Sequence, residues 1–246
     1  MATPVVQNTA PTRSFSPAER IFFCAVVAMI AATVLLGFAK TYFLAGVFAA
    51  KLPSTLVHIH GALFTSWIGL LATQIILIAL GRVRWHMRLG VVGMFLAPLM
   101  VIVGFATLFV YIRRPSGLRV LPPPVQHGIT AVDTLTLCIF AGLTLWAFLA
   151  RRDAAAHKRL MLLATITILV PAIARWPFSF VHGPFGALPV QDSLLALLIL
   201  YDLWSRRSLH RVTVWGVLLT VAWQSTYVPL ANSELMDRVF AWVQKA

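Results

Sequence analysis

Apolar stretches of about 18 residues or more recur along this chain of 246 residues, separated by short turns rich in arginine. No other feature constrains the fold as tightly, because about 20 apolar residues in a helix cross a hydrocarbon core of about 30 Å. Composition points the same way. The chain is 60% hydrophobic and 11% charged, whereas a soluble domain carries roughly 25% charged residues and needs them to face water. The expected fold is all-α: a polytopic membrane helical bundle of about seven transmembrane helices.

Spans are expected at residues 20–42, 58–80, 89–112, 128–150, 160–177, 190–204 and 212–231. Residues 1–19, polar and non-periodic, read as a flexible tail. The apolar run that follows lacks a small-residue cleavage site and reads as a retained span. Residues 232–246 read as an amphipathic segment lying on the membrane interface, with Leu235, Val239, Phe240 and Val243 on one face. Pro98, Pro171 and Pro229 fall late in the third, fifth and seventh spans, where proline kinks a helix, but no pair of spans reads as broken. Lysine and arginine concentrate in the N-terminal tail and in the turns GRVRWHMR, RRDAAAHKR and SRRSLHR. The positive-inside rule then puts the N-terminus inside and the C-terminus outside. The net charge of +13 is spread over these clusters, which suits anionic lipid headgroups and not nucleic acid. Cys24 and Cys138 sit in apolar runs and read as packed hydrophobes.

An internal repeat organises the histidines. Three units each begin with His-Gly at the outer start of a span, pass through a basic turn holding another histidine, and enter a second span. His60, His127 and His182 occupy the outer positions; His86, His157 and His210 occupy the inner turns; His58 is the extra one. The architecture this implies is a leading helix followed by three repeated hairpins. His60 and His86 are 26 residues apart, which is about 39 Å of helix at about 1.5 Å per residue. No single ion or haem iron is held by both, so a site draws on the outer set or on the inner set.

At a helix N-terminus the macrodipole favours neutral imidazole, the form that binds metal or haem iron. Asp133, Arg175 and Asp192 lie toward the same outer face and form a candidate polar cluster, with Arg175 expected to pair with one of the two aspartates. The structural alternative is that His-Gly caps a span, with glycine permitting the tight turn into it. Asp202 is expected to pair with Arg206, one turn away. The inner histidines read as lying in the turns, where basic residues serve topology, although His86 and His157 also form a candidate ligand pair.

The motifs VHIHGALFTSWIGLLATQ, GRVRWHMRLG, AHKRLMLLATITILVPAIARWPF and YDLW resemble those of a group of uncharacterised bacterial polytopic membrane proteins. The likeness covers most of residues 40–230 and implies a multi-pass protein of the bacterial cytoplasmic membrane. A weaker similarity is to diheme b-type transmembrane cytochromes of the ascorbate-reducing kind. It implies haem b held by His60 with His127 and by His86 with His157. Electron transfer is the first functional expectation. A metal-dependent membrane hydrolase is the second, with His60, His127 and His182 holding zinc. The third is a transporter, sensor or assembly factor that uses the outer polar cluster.

Overall fold

The computed structural model describes residues 16–48, 54–113, 121–182 and 185–245, and among them every regular element is helical. Five helices are long and apolar enough to cross a membrane: α1 (Pro17–Phe38, prolonged by a π turn to Phe43), α2 (Thr55–Ala79), α3 (Val83–Arg113), α4 (Pro123–Leu149) and α7 (Ala187–Arg206). That makes a multi-pass membrane protein. The expected tail of residues 1–19 is shorter than its limits: Ser16 accepts a hydrogen bond from the Glu19 amide at 3.2 Å and starts α1 at Pro17. Residues 1–15 lie outside the described residues.

Helices also start earlier than hydropathy alone suggests. α3 starts at Val83 and α5 (Ala154–Thr167) at Ala154, each six residues ahead of its expected span. Asp153 caps α5 by accepting from the amides of Ala155 and Ala156 at 3.0 and 3.1 Å. Gly81 turns the chain into α3 with φ of 72°, a left-handed conformation that favours glycine. A first turn rich in arginine and histidine extends past the apolar part of a span, so His86 and His157 sit inside helices and not in turns.

The segment expected as the unbroken fifth span is interrupted. α5 stops at Thr167, and a separate turn of helix, α6 (Val170–Ile173), carries Pro171. Proline lacks an amide hydrogen and its ring collides with the carbonyl four residues back, here that of Thr167. The amide nitrogen of Gln191, a fully buried side chain of α7, donates to the carbonyls of Ile166 and Thr167, both at 2.9 Å; that of Thr167 is freed by Pro171, while that of Ile166 also takes the Leu169 amide at 3.1 Å. The last span breaks in the same way, into α8 (Arg211–Gln224) and α9 (Tyr227–Ala231), which holds Pro229. By contrast Pro98 is absorbed within a continuous α3. The expectation that no two spans are broken is therefore corrected.

α5 runs through the centre of the bundle, with Leu160 and residues 162–167 all buried. It packs between α4, α7 and α8, and its side chains share one apolar core with Phe23 and Ile30 of α1 and Phe140 and Leu143 of α4. One ion pair enters that core. Arg159 is 2% exposed and meets the fully buried Asp202 of α7, donating to its carboxylate through Nε at 2.9 Å and also through Nη2. The same carboxylate accepts from the His210 amide at 3.0 Å and the Thr213 hydroxyl at 2.6 Å. The expected Asp202–Arg206 pair is not formed, because Asp202 turns into the bundle while Arg206 stays exposed.

The C-terminal segment is the amphipathic helix α10 (Glu234–Lys245), whose packed face includes the expected Val239, Phe240 and Val243 but takes Met236 in place of Leu235. Met236, Phe240 and Val243 are buried against Leu108 and Ile112 of α3 and Ala131 of α4, while Leu235 is 60% exposed. Spacing by three and four residues fits Met236, Phe240 and Val243 to one stripe, and that stripe covers protein.

Candidate functional site

The ends of α2, α3, α4 and α5 that meet at the basic turns surround a cavity of about 1060 Å³, at the upper limit of the roughly 300–1,000 Å³ common for small-molecule sites. Its walls are mostly apolar, with Trp67 and Ile75 from α2, Met94 and Ala97 from α3, Leu145 and Phe148 from α4, and Met161 from α5. Two histidines line it. His86 stands on the first turn of α3 and His157 on the first turn of α5; their ring centres are 6.3 Å apart and their planes are inclined by 82°. Two imidazoles on opposite sides of one metal have centres about 6 Å apart, given metal–nitrogen bonds of about 2 Å. The observed spacing matches that figure, and it also lies within the range of a direct edge-to-face contact between two rings.

The two rings are held differently. His157 Nδ1 lies 2.8 Å from the carbonyl oxygen of Ala147 on α4, a contact that selects the tautomer with its proton on Nδ1 and leaves Nε2 free as a ligand. His86 Nδ1 is buried and has no hydrogen-bond partner among the described residues. Gln74, also on the cavity wall, has a buried Oε1 that is equally unpartnered. Gly90 lies one helical turn beyond His86, and it too lines the cavity. A methyl group there meets only Gln74 Nε2 at 3.6 Å, so the wall beside His86 stays flat and open. At the inner end Arg151, Arg152 and Lys158 line the same space. Arg151 stacks over Phe148 at 4.5 Å from the ring centre, and Lys158 is ion-paired to Glu19.

The third inner histidine has a different job. His210 Nδ1 accepts the Val212 amide at 3.2 Å and caps α8, while its own amide donates to Asp202. Burial, followed by the positive charges of Arg159 and Arg206, holds this imidazole below its ordinary pKa. That keeps the accepting lone pair free.

The outer residues are dispersed. His60 stacks on Phe64 at 4.2 Å, with a buried Nδ1 that has no partner. His127 instead packs 4.7 Å from the Phe240 ring of α10 and has Nε2 3.7 Å from the Asp237 carboxylate. His182 Nε2 bonds the Trp176 carbonyl at 3.0 Å. No ring contact joins His60 to His127, and among the described residues no three His, Cys, Asp or Glu side chains converge as a metal site. Arg175 is exposed, donates to the Pro171 carbonyl at 2.5 Å and lies over Phe38. No ion pair joins it to Asp133 or Asp192 among the described residues; Asp192 instead accepts from Gln224 at 2.8 Å. His58 is exposed, its carbonyl taking the Tyr42 hydroxyl at 3.2 Å.

The glycine of the His-Gly motif is helical, not a turn former. A Cβ on Gly61 would meet the Tyr42 ring at 2.8 Å, and one on Gly128 the Tyr227 ring at 2.5 Å. Both glycines seat a tyrosine; Gly183, the third, lies outside the described residues. The sequence reading passed over Gln74, Gly90 and Gln191. A lone amide within each of two spans, and a glycine four residues after His86, were the available signals.

No protein-family model, curated protein or solved structure matches the chain.

Proposed function

We propose that the protein is a haem-b-binding electron-transfer protein of the membrane, with His86 and His157 as the two axial ligands. The 6.3 Å spacing of these imidazoles on the wall of a 1060 Å³ apolar cavity carries this reading. Bis-histidine ligation in an apolar surround suits one-electron transfer, with the potential set by burial and by hydrogen bonds to the ligands. The flat wall at Gly90 accommodates a planar macrocycle beside its ligand. Arg151 and Arg152 supply the counter-charge for the two carboxylates that haem carries. The outer pair of the sequence expectation, His60 with His127, has no comparable geometry, so the stoichiometry we propose is one haem per chain.

The topology we propose has seven crossings: the five long helices, α5 continued by α6, and α8 continued by α9. These form a leading helix and three hairpins, with the N-terminus on the cytoplasmic side of a bacterial inner membrane. The basic turns then face the cytoplasm, and so does the haem. Interrupted helices are also what a carrier needs, and they favour transport as the second reading. Substrate flux into liposomes containing a colourless protein would support it.

The test is an absorbance spectrum of detergent-purified protein from haem-sufficient cells. The expected result is a Soret band that sharpens and shifts on dithionite reduction, with one haem per chain. Gly90→Leu fills the space beside His86 while leaving both histidines in the sequence, and it should lose the haem while keeping the wild-type elution profile and helicity. A colourless wild type, or a Gly90→Leu variant with full haem, would overturn the assignment.

A further inference from the structure

The two histidines at the cavity are chemically alike but mechanically unequal. His157 belongs to the central helix α5, whose start is fixed by the Asp153 cap and whose next turn is anchored by Arg159 to Asp202. Its ring is further held across to α4 through the Ala147 carbonyl at 2.8 Å. His86 has none of these restraints. It sits five residues after Gly81, between Trp85 and Met87, which are 57% and 60% exposed, and its Nδ1 has no acceptor among the described residues. An acceptor on the distal nitrogen orients a ligating imidazole and raises its basicity, and its loss typically weakens metal affinity by about 10–100-fold.

Resting on the haem reading above, we infer that His157 is the permanent ligand and His86 the exchangeable one, so that the His86 side admits a small diatomic ligand. The exchange needs no oxidant or reductant. With haem bound, His86 would leave with its own lone pair and the incoming diatomic would bring one in its place. Gln74 Oε1 is an unpartnered acceptor on the same wall, available to the Nδ1–H of His86 once that ring has moved. The site thereby gains a second capacity beside electron transfer: it reports or stores a diatomic gas.

Carbon monoxide is the probe, added to the dithionite-reduced full chain in detergent and followed by the Soret band. Wild-type protein should take up carbon monoxide. His86→Ala should keep its haem in a five-coordinate, high-spin form and bind carbon monoxide about tenfold or more tightly, because no internal ligand competes. His157→Ala should lose most of its haem; His157→Gln, which keeps a polar group facing the Ala147 carbonyl, separates ligand loss from misfolding and should lose it too. A haem-loaded wild type that ignores saturating carbon monoxide overturns this inference and leaves the haem assignment standing. Equal haem loss in His86→Ala and His157→Ala overturns it as well. A wild type that never acquires haem removes both.

Discussion

Removing the Asp202 carboxylate should destabilise the protein more than any nearby surface change. It accepts from two nitrogens of Arg159, from the His210 amide and from the Thr213 hydroxyl, and its own side chain is fully buried. In Asp202→Ala the guanidinium of Arg159, 2% exposed, is left without a counter-charge inside the bundle. Breaking one side of a buried pair costs about 3–5 kcal/mol, and the stranded amide and hydroxyl add to that. Replacing both partners is a different experiment: apolar residues of similar volume are often neutral or better. The double variant Arg159→Met with Asp202→Leu should therefore recover most of the loss. Denaturant titration in mixed micelles, followed by tryptophan fluorescence, measures both. The reasoning fails if Asp202→Ala stays within about 1 kcal/mol of wild type, the ordinary effect of a point substitution. It also fails if the double variant is as unstable as the single one.

Other expectations concern the helix break, the glycine seat and the histidine cap. Gln191→Leu keeps the volume but removes the amide donor to the carbonyls of Ile166 and Thr167, leaving that of Thr167 unpaired among the described residues; the same titration should show a loss of about 2 kcal/mol. Gly128→Ala drives a methyl into the Tyr227 ring and should cost about 1–3 kcal/mol, much of it regained when Tyr227→Ala is added. His210 has a folded-state pKa below its unfolded one, so the unfolded chain binds more protons as pH falls below the ordinary imidazole value. Its contribution is complete above that value and is lost as pH drops toward the folded pKa, since protonated imidazole no longer accepts the Val212 amide. His210→Asn keeps an accepting cap and should flatten this part of the stability–pH curve.

Bilayer thickness made the long spans legible, because it imposes a length that composition alone reveals. The helix starts at Val83 and Ala154 were hidden by the same criterion. Charged first turns score as loops, although lipid headgroups and the Asp153 cap support them as helix. Pairing was legible only locally. Arg206 is the cation nearest Asp202 in sequence, whereas the partner used, Arg159, is 43 positions away and is found only once α5 and α7 pack. The alternation of histidines suggested one set at the basic turns and another at the opposite helix ends. It carried no information on which set converges, since that depends on how hairpins rotate about their axes. His127 turns toward α10, a helix whose docking face was itself read one position off, at Leu235 instead of Met236. Gly61 and Gly128 were noticed for their position after histidine, but the tyrosines they seat come from other helices.

The glutamine that fills the break in α5 also bears on how the chain is made. Until α7 arrives, the Thr167 carbonyl lacks the Gln191 amide and Arg159 lacks its counter-charge, and lipid offers neither. Under the seven-crossing topology proposed above, the fifth crossing becomes a stable membrane segment only after the sixth follows. Chains halted between Pro177 and Gln191 should be held at the insertion machinery or degraded, while chains extended through Thr213 should be released into the bilayer.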